Sequence, residues 1–380
     1  MAKKKKEKNF SSFLNNPIDF TLVIAILLLL ALGLIMVLSA SSPSALSESG
    51  NSYKYFSKQL IFAILGLIAM AFISKIDYRF YQKFYKHAWW LSLILFALVL
   101  LIGKNVNGAK RWIYITETLS FQPSELVKFL MIIFYAGILV KDRDQLGMYG
   151  KGFIKHVCML APIIGLLLLQ PHFSASIVII GICSVMMITA GCKLWHFILT
   201  GGVAGLPAMI FLIIKEPYRL KRVVTFLDPW QDKTGDGWQV IQSLYAIGSG
   251  GLFGAGLGES KQKFLYIPEP HNDFIFSILG EELGFVGCAI VIILFAIFIW
   301  RGILIAMKAP DMFGSLVAIG ITALVGIQVI INIAVVTSSM PATGMPLPFF
   351  SYGGTALFIL LCEMGVLLNI SRASAKNNAK

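Results

Sequence analysis

The sequence predicts an all-α membrane protein with ten transmembrane helices. The chain has 380 residues, a mean hydropathy of +0.79 and only 13% charged residues. Its apolar runs approach or exceed the roughly 20 residues that cross a bilayer as a helix. They do not show the short alternation of a membrane β-barrel. The spans are predicted at about 18–41, 58–76, 84–103, 124–140, 154–170, 173–190, 194–214, 273–301, 312–336 and 349–371.

The short loops predict the orientation of these spans. An even number of spans places both termini on one face, and Lys and Arg concentrate in the short loops of that face. Cytoplasmic loops carry this excess of positive charge. The prediction is a basic cytoplasmic tail (1–17), one membrane domain (18–371), a cytoplasmic tail (372–380), and extracytoplasmic loops at 104–123, 215–272 and 337–348. The net charge of +13 lies at segment ends, so it does not indicate nucleic-acid binding.

A group of carboxylates opens the eighth span. Asp273, Glu281 and Glu282 lie at or near the start of this apolar run, and charges in or near a bilayer are costly enough to suggest function. Asp273 has two interpretations: a helix N-cap, which Asp and Asn favour, or a general base near the membrane surface. The two glutamates fit buried structural pairs better than catalysis.

The loop before the fourth span and its first turn form a second cluster. Pro123 suits a first helical turn, Glu125 follows in that turn, and Lys128 is spaced i, i+3 from it. The two charges could form a structural bridge, or Lys128 could join Arg111 in binding an anionic lipid headgroup. Trp112 is typical of an interfacial aromatic belt.

Proline and glycine interrupt the chain between the last two spans. Three prolines and three glycines in 338–354 cannot form a continuous helix. Irregular backbone at membrane depth is tolerated where it is buried in protein or lines a cavity. A plain surface turn is the alternative.

Several ordered motifs resemble one protein family over nearly the whole chain. They are FQPSELVK (121–128), PYRLKR (217–222), FLDPW (226–230), QSLYAIGSGGLFG (242–254), GLG (256–258), PEPHNDFIFSILGEELGFVG (268–287) and GMPLPFFSYGG (344–354). The chain resembles the SEDS proteins (shape, elongation, division and sporulation), which include FtsW, RodA and SpoVE, and is more similar to the FtsW/SpoVE branch. One departure is His172, where most members have an acidic residue.

The resemblance implies a function and a location. SEDS proteins are peptidoglycan glycosyltransferases that polymerise lipid II outside the bacterial cytoplasmic membrane. They act beside a class B penicillin-binding protein, a transpeptidase, with divisome or sporulation proteins. Membrane lipids are further expected partners, and nucleic acid is not.

The resemblance also implies site residues. Asp273 matches the essential aspartate of the family, and Arg111, Glu125 and Lys128 match charged positions around its lipid site. Arg219, Lys221 and Arg222 are weaker candidates for a second headgroup or the product. The full set of candidate binding residues is Arg111, Trp112, Gln122, Ser124, Glu125, Lys128, Arg219, Gln242, His271, Thr343 and Ser351.

The implied chemistry suits these residue types. Glycan polymerisation inverts the anomeric centre and releases a stable diphosphate anion, so one carboxylate base and nearby cations are enough. Two alternatives stay open: a lipid II transporter (a flippase), and a non-enzymatic scaffold for a transpeptidase. No cofactor is assigned, and assistance by a divalent cation, Mg²⁺ or Mn²⁺, also stays open because no clear outward-facing ligand set is seen.

Overall fold

The computed structural model describes residues 17–106, 109–114, 116, 120–232, 235, 237–264 and 266–378. Ten of its helices are long and apolar enough to cross a membrane, which confirms the predicted fold class. The spans are α1 (Phe20–Ser49), α2 (Lys54–Ile73), α3 (Tyr85–Ile102), α4 (Pro123–Lys141), α5 (Tyr149–Leu169), α6 (Phe173–Ala190), α7 (Leu194–Lys215), α10 (Ile275–Lys308), α11 (Met312–Val336) and α12 (Gly354–Asn378). Two further helices, α8 (Pro217–Leu227) and α9 (Trp238–Ser249), lie between α7 and α10.

Several helices extend beyond the predicted spans. Helix α1 continues past Pro43 to Ser49 and ends where Gly50 adopts a left-handed φ of 69°, a common helix terminus. Helix α12 continues to Asn378, into the predicted tail. Hydropathy marks the part of a helix inside the bilayer, whereas backbone hydrogen bonding continues through small and polar residues beyond it. Of the predicted N-terminal tail, residues 1–16 lie outside the described part of the chain.

The core is formed by helices α4, α11 and α12, whose apolar segments are the most enclosed. Helix α12 packs along α2, α11 packs against α4, α6 and α10, and α1 packs against α10. Helix α7 lies at the periphery with its apolar side chains exposed, as expected for contact with lipid. On α1, a Cβ at Gly33 would lie 2.2 Å from the carbonyl oxygen of Phe349. This close approach fixes the segment before α12 against the bundle.

Both ends of the described chain meet on one face of the bundle. Asp19 caps α1 by accepting from the Leu22 amide at 3.0 Å, and its carboxylate pairs with Arg301 near the end of α10. The Asp19 amide donates to Ser371 Oγ on α12 at 3.2 Å. Termini on a single face agree with the even number of spans, and the odd-numbered connections between spans therefore lie on the opposite face.

A small sheet, which the sequence does not predict, covers part of that opposite face. Strands β1 (Lys104–Val106), β2 (Ala109–Tyr114) and β3 (Ser120–Phe121) pair antiparallel in this order. Ile113 opposite Phe121 sets the register of β2 and β3. Side chains alternate between the two faces of a strand, so Arg111 and Lys110 on β2 point in opposite directions.

Residues 250–264, 266 and 267, here called the collar, pack around a break in α10. Gly284 has φ 64° and ψ −164°, outside the helical region. Beyond the break, the amide of Phe285 donates to Gly251 O at 2.9 Å. Before it, the carbonyl of Glu281 accepts from the Ala255 amide at 2.9 Å. The collar thus satisfies backbone groups that the break would leave unpaired inside a membrane protein.

Candidate active site

A cavity of ≈ 580 Å³ opens on the face opposite the chain ends. Its walls come from α2, α4, α11 and α12, from the small sheet, from the turn before α6, and from residues 269–273 and 344–353. Tyr114 and Glu269 on its wall are exposed, whereas Lys128 and Glu363 at its inner end are each 2% exposed. The cavity therefore leads from the surface to buried charges.

Asp273 lies on the cavity wall, two positions before α10 begins at Ile275. Phe274 occupies the N-cap position, so the structure does not use Asp273 as the cap of this helix. The Asn332 side chain holds the segment by donating to both Asp273 O and Met345 O at 2.8 Å. A Cβ at Gly344 would lie 3.6 Å from Asp273 Oδ2. The carboxylate is thus positioned by its backbone and faces the cavity.

Burial raises the pKa of Asp273 to about 6. Its carboxylate is partly exposed to the cavity but lies deep among protein atoms, which disfavours the charged form. Glu269 raises this pKa further, and Arg222 lowers it. A carboxyl group with a pKa near the working pH is well matched to general-base catalysis.

Cationic side chains line the same cavity as Asp273. Lys128 Nζ lies 2.8 Å from Glu125 Oε2, so the two charges form the pair that their spacing allows. The Arg111 guanidinium donates to the carbonyl oxygen of Pro171, in the turn before α6. Lys58 and Arg222 also line the wall. Cations held in a partly enclosed site are suited to binding a phosphate-bearing ligand.

A neutral histidine lies among these cations. His172 Nε2 is 3.1 Å from Gln122 Nε2. Burial, with smaller contributions from Arg111 and Lys128, lowers the pKa of His172 to about 3. The imidazole is therefore uncharged near neutral pH. In this chain the turn before α6 contributes a hydrogen-bonding group to the cavity and no charge.

The irregular segment between α11 and α12 lines the cavity, as the sequence predicts for one of its two alternatives. Ser351 Oγ donates to Asn272 O at 2.6 Å and accepts from the Leu347 amide at 2.7 Å. Gln59 on α2 bonds to Ser351 O at 3.2 Å and to the Gly353 amide at 3.1 Å. These bonds tie the segment to the residues beside Asp273, and hence fix the cavity wall.

The cavity brings together eight of the candidate site residues that the sequence singles out. They are Arg111, Trp112, Gln122, Glu125, Lys128, Asp273, Ser351 and the weaker candidate Arg222.

Four other candidates lie away from its wall. Ser124 is buried, on a different side of α4 from Glu125, and Gln242 is buried on α9. His271 packs between the rings of Tyr55 and Tyr352. Thr343 contributes its carbonyl oxygen to a hydrogen bond from Ser174. The side chain of Arg219 lies outside the described part of the chain.

Sequence reasoning missed Glu363 on α12, a buried carboxylate at the inner end of the cavity. Its Oε2 atom has no hydrogen-bond partner among the described residues. The available signal was an acidic residue inside an apolar span, which is rare and often functional.

The described residues contain no group of three or more His, Cys, Asp or Glu placed to hold a metal ion. No residue is assigned to the divalent cation that the sequence leaves open.

Comparison with known proteins identifies a family and close relatives. A family model described as "Cell cycle protein" and named for FtsW, RodA and SpoVE matches residues 20–376. Stage V sporulation protein E of Bacillus subtilis is 45% identical over 358 residues, with 94% of this chain and 97% of the relative covered. A probable peptidoglycan glycosyltransferase FtsW of Trichlorobacter lovleyi is 42% identical over 355 residues, with 93% of each covered.

A solved structure shares the fold. It is described as "Structural coordination of polymerization and crosslinking by a peptidoglycan synthase complex". One of its chains aligns with a TM-score of 0.77 and 29% identity, covering 94% of this chain and 98% of that one.

Proposed function

Because the chain belongs to the FtsW, RodA and SpoVE family of cell cycle proteins, we propose that it is a peptidoglycan glycosyltransferase that polymerises lipid II into β-1,4-linked glycan strands. The observation that carries the proposal is that Asp273, Arg111 and Lys128 all line one cavity. A carboxylate base and two cations are the groups that this reaction requires.

The residues divide the reaction between them. The acceptor hydroxyl oxygen attacks the anomeric carbon of the donor sugar and gives its proton to Asp273. The bond between that carbon and the diphosphate oxygen breaks, and the lipid diphosphate leaves as an anion. Arg111 and Lys128 stabilise the negative charge that grows on the leaving oxygen. The anomeric centre inverts in one displacement, so no covalent enzyme intermediate is formed.

The ionisation of Asp273 agrees with this role. A pKa of about 6 leaves the carboxyl group mostly ionised at neutral pH and more basic than an ordinary aspartate. General bases work best when their pKa lies near the operating pH. Glu125 holds Lys128 in place at 2.8 Å, and Gln122 lies 3.1 Å from the neutral His172.

The protein is a multi-pass membrane protein, and we assign it to the bacterial cytoplasmic membrane with the cavity on the outer side. Support comes from the cationic short loops of the face that carries both chain ends, because such loops are retained in the cytoplasm. The cavity opens on the opposite face, where lipid-linked precursors would be joined at the outer surface of the cytoplasmic membrane.

A transpeptidase partner is part of the proposal. The matched solved structure is described as a peptidoglycan synthase complex that coordinates polymerisation and crosslinking. We infer that this chain works beside a class B penicillin-binding protein. The similarity to a stage V sporulation protein and to FtsW proteins supports a role in sporulation or division, together with the proteins of those processes.

The cavity favours a polymerase over a transporter. A transporter needs polar groups along a path between both faces of the membrane. Of the described residues that line the cavity, none belongs to a connection on the face of the chain ends, and the innermost charge is Glu363 within α12. A scaffold that only recruits a transpeptidase would need neither the buried Lys128 nor a cavity-facing Asp273.

Reconstitution in lipid vesicles separates these functions. Purified protein is placed in vesicles with labelled lipid II, with and without a class B transpeptidase, and both strand formation and lipid II movement between leaflets are measured. We expect glycan strands when lipid II is available to the leaflet at the cavity. Movement of lipid II without strands, even in the presence of the partner, would contradict the proposal.

A further inference from the structure

A second cavity of ≈ 190 Å³ adjoins the first on the same face. It lies between α8, α9 and residues 338–342, which precede the segment on the wall of the main cavity. Arg222 lines both cavities, and its Nη1 donates to Ala342 O at 2.6 Å. This side chain is therefore fixed at the boundary between them.

The lining of the second cavity combines rings with hydrogen-bonding groups. Trp238 and Phe226 supply aromatic faces, while Thr225, Gln239 and Ser338 supply hydroxyl and amide groups. Trp238 Nε1 donates to Tyr266 O at 2.6 Å, which holds the indole in one orientation. Small-molecule sites commonly join aromatic walls to a few placed polar groups.

This combination fits a sugar better than a lipid chain. A pyranose ring has apolar C–H faces that can cover an aromatic ring and a rim of hydroxyl groups that need hydrogen-bond partners. A lipid tail would offer no hydrogen-bond partner to the hydroxyl groups of Thr225 and Ser338 or to the amide oxygen of Gln239. The volume equals that of roughly six water molecules, at about 30 Å³ each, which is the scale of one sugar ring.

The position of the cavity fits a strand that extends away from the reaction centre. Arg222 acts electrostatically on Asp273, so the second cavity begins near the proposed base. The cationic residues Arg111 and Lys128 instead lie on the wall formed by β2 and α4. A polymerase must hold sugars of its product beyond the reacting bond, on the side away from the diphosphate.

We propose that this second cavity, the strand pocket, binds a saccharide unit of the growing glycan next to the reacting sugars. The proposal rests on the glycosyltransferase function above and assigns a product-binding role to Trp238, Gln239 and Arg222. Occupation of the pocket would keep the strand bound between successive additions and so increase the length of the product.

The test blocks the pocket and measures glycan binding apart from catalysis. Gln239→Trp fills the pocket from a half-buried position, and Gln231→Trp makes the same change at an exposed position that lines neither cavity. The probe is a lipid-free peptidoglycan tetrasaccharide, with its binding followed by saturation-transfer NMR. We expect equal binding to wild type and Gln231→Trp, and binding at least tenfold weaker to Gln239→Trp.

Product length gives the second readout. With labelled lipid II, Gln239→Trp should make markedly shorter strands than wild type, whereas Gln231→Trp should make strands of wild-type length. If this variant lowers the midpoint of thermal unfolding, Gln239→Phe with Gln231→Phe repeats the comparison with a smaller ring.

The outcomes separate this proposal from the glycosyltransferase function. Failure of the tetrasaccharide to bind wild type, equal binding to all three proteins, or binding of the stem peptide alone would overturn the strand pocket. Absence of polymer from wild type would instead contradict the glycosyltransferase function.

Discussion

Asp273 and Glu282 belong to the same segment at the start of α10, yet their surroundings are opposite. Glu282 is fully buried, pairs with Lys263 at 2.8 Å, and accepts from Ser39 Oγ at 2.6 Å. Asp273 faces the cavity and forms no ion pair with any described residue. The neighbouring Glu281 resembles Glu282, because it accepts from Ser260 Oγ and from collar amides.

The comparison shows two kinds of carboxylate: Glu281 and Glu282 maintain the fold, whereas Asp273 is available to a ligand. The collar, together with Ser39 on α1, supplies the partners of Glu281 and Glu282, so these carboxylates stabilise the broken helix. Breaking such a buried pair is costly because the remaining charge loses its compensation. Asp273 is held only through its backbone, and its carboxylate is free to exchange a proton with a substrate.

The largest expected effect on stability is at the collar. Glu282→Gln leaves Lys263 charged, buried and without its carboxylate, which should lower the free energy of unfolding by about 3–5 kcal/mol. The matched control is Glu48→Gln, because Glu48 pairs with Lys54 at 3.1 Å on the surface, where such pairs contribute about 0–1 kcal/mol. Unfolding in detergent measures both. Equal losses in the two variants would contradict the structural role of Glu282.

A smaller effect, on activity, is expected at the cation site. Arg111→Gln removes a charge from the cavity wall and should lower kcat/KM roughly 10- to 150-fold, the equivalent of a charge-assisted contact of about 1.5–3 kcal/mol. Lys110→Gln on the other face of β2 is the control, and it should stay within about twofold of wild type. The rate of strand formation at varied lipid II concentration gives both values. Similar losses would show that only the overall charge of the loop matters.

The pH dependence tests the ionisation of Asp273. With a pKa of about 6, protonation removes the base as pH falls. Activity should therefore be present above pH 6 and fall roughly tenfold between pH 7 and pH 5. Because Arg222 lowers this pKa, Arg222→Gln should move the fall to higher pH. A rate that is constant from pH 5 to 7 would contradict a titrating base.

The spans and the principal charged residues of the cavity are predictable from the sequence, and the reason is physical. Long apolar runs form helices in a bilayer, and the loop charges set their order on the two faces. Intramembrane charges are rare enough for Glu125 and Lys128 to stand out. Asp273, at the start of a span, and Arg111, in the loop before one, are also singled out by their positions, and the motif resemblance supports both.

Other parts of the site depend on tertiary contacts that no local pattern reveals. The three strands around Arg111 are short and pair within one loop, so they lack the length of a clear alternating pattern. His172 reaches the cavity because the turn before α6 packs against the start of α4, where His172 contacts Gln122 at the N-cap position. His271, although it lies close to Asp273 in sequence, packs its ring against Tyr55 and Tyr352. Sequence proximity to a site residue therefore does not place a side chain in the site.

The most direct test compares strand formation by wild type and Asp273→Asn, purified in parallel. The matched control is Asp144→Asn, because Asp144 is an exposed carboxylate on the face that carries the chain ends. All three should unfold at the same midpoint, because Asp273 forms no ion pair with the described residues and does not cap α10. We predict turnover at least about 100-fold lower for Asp273→Asn alone. Equal polymer from a folded Asp273→Asn protein would contradict the assignment of Asp273 as the base.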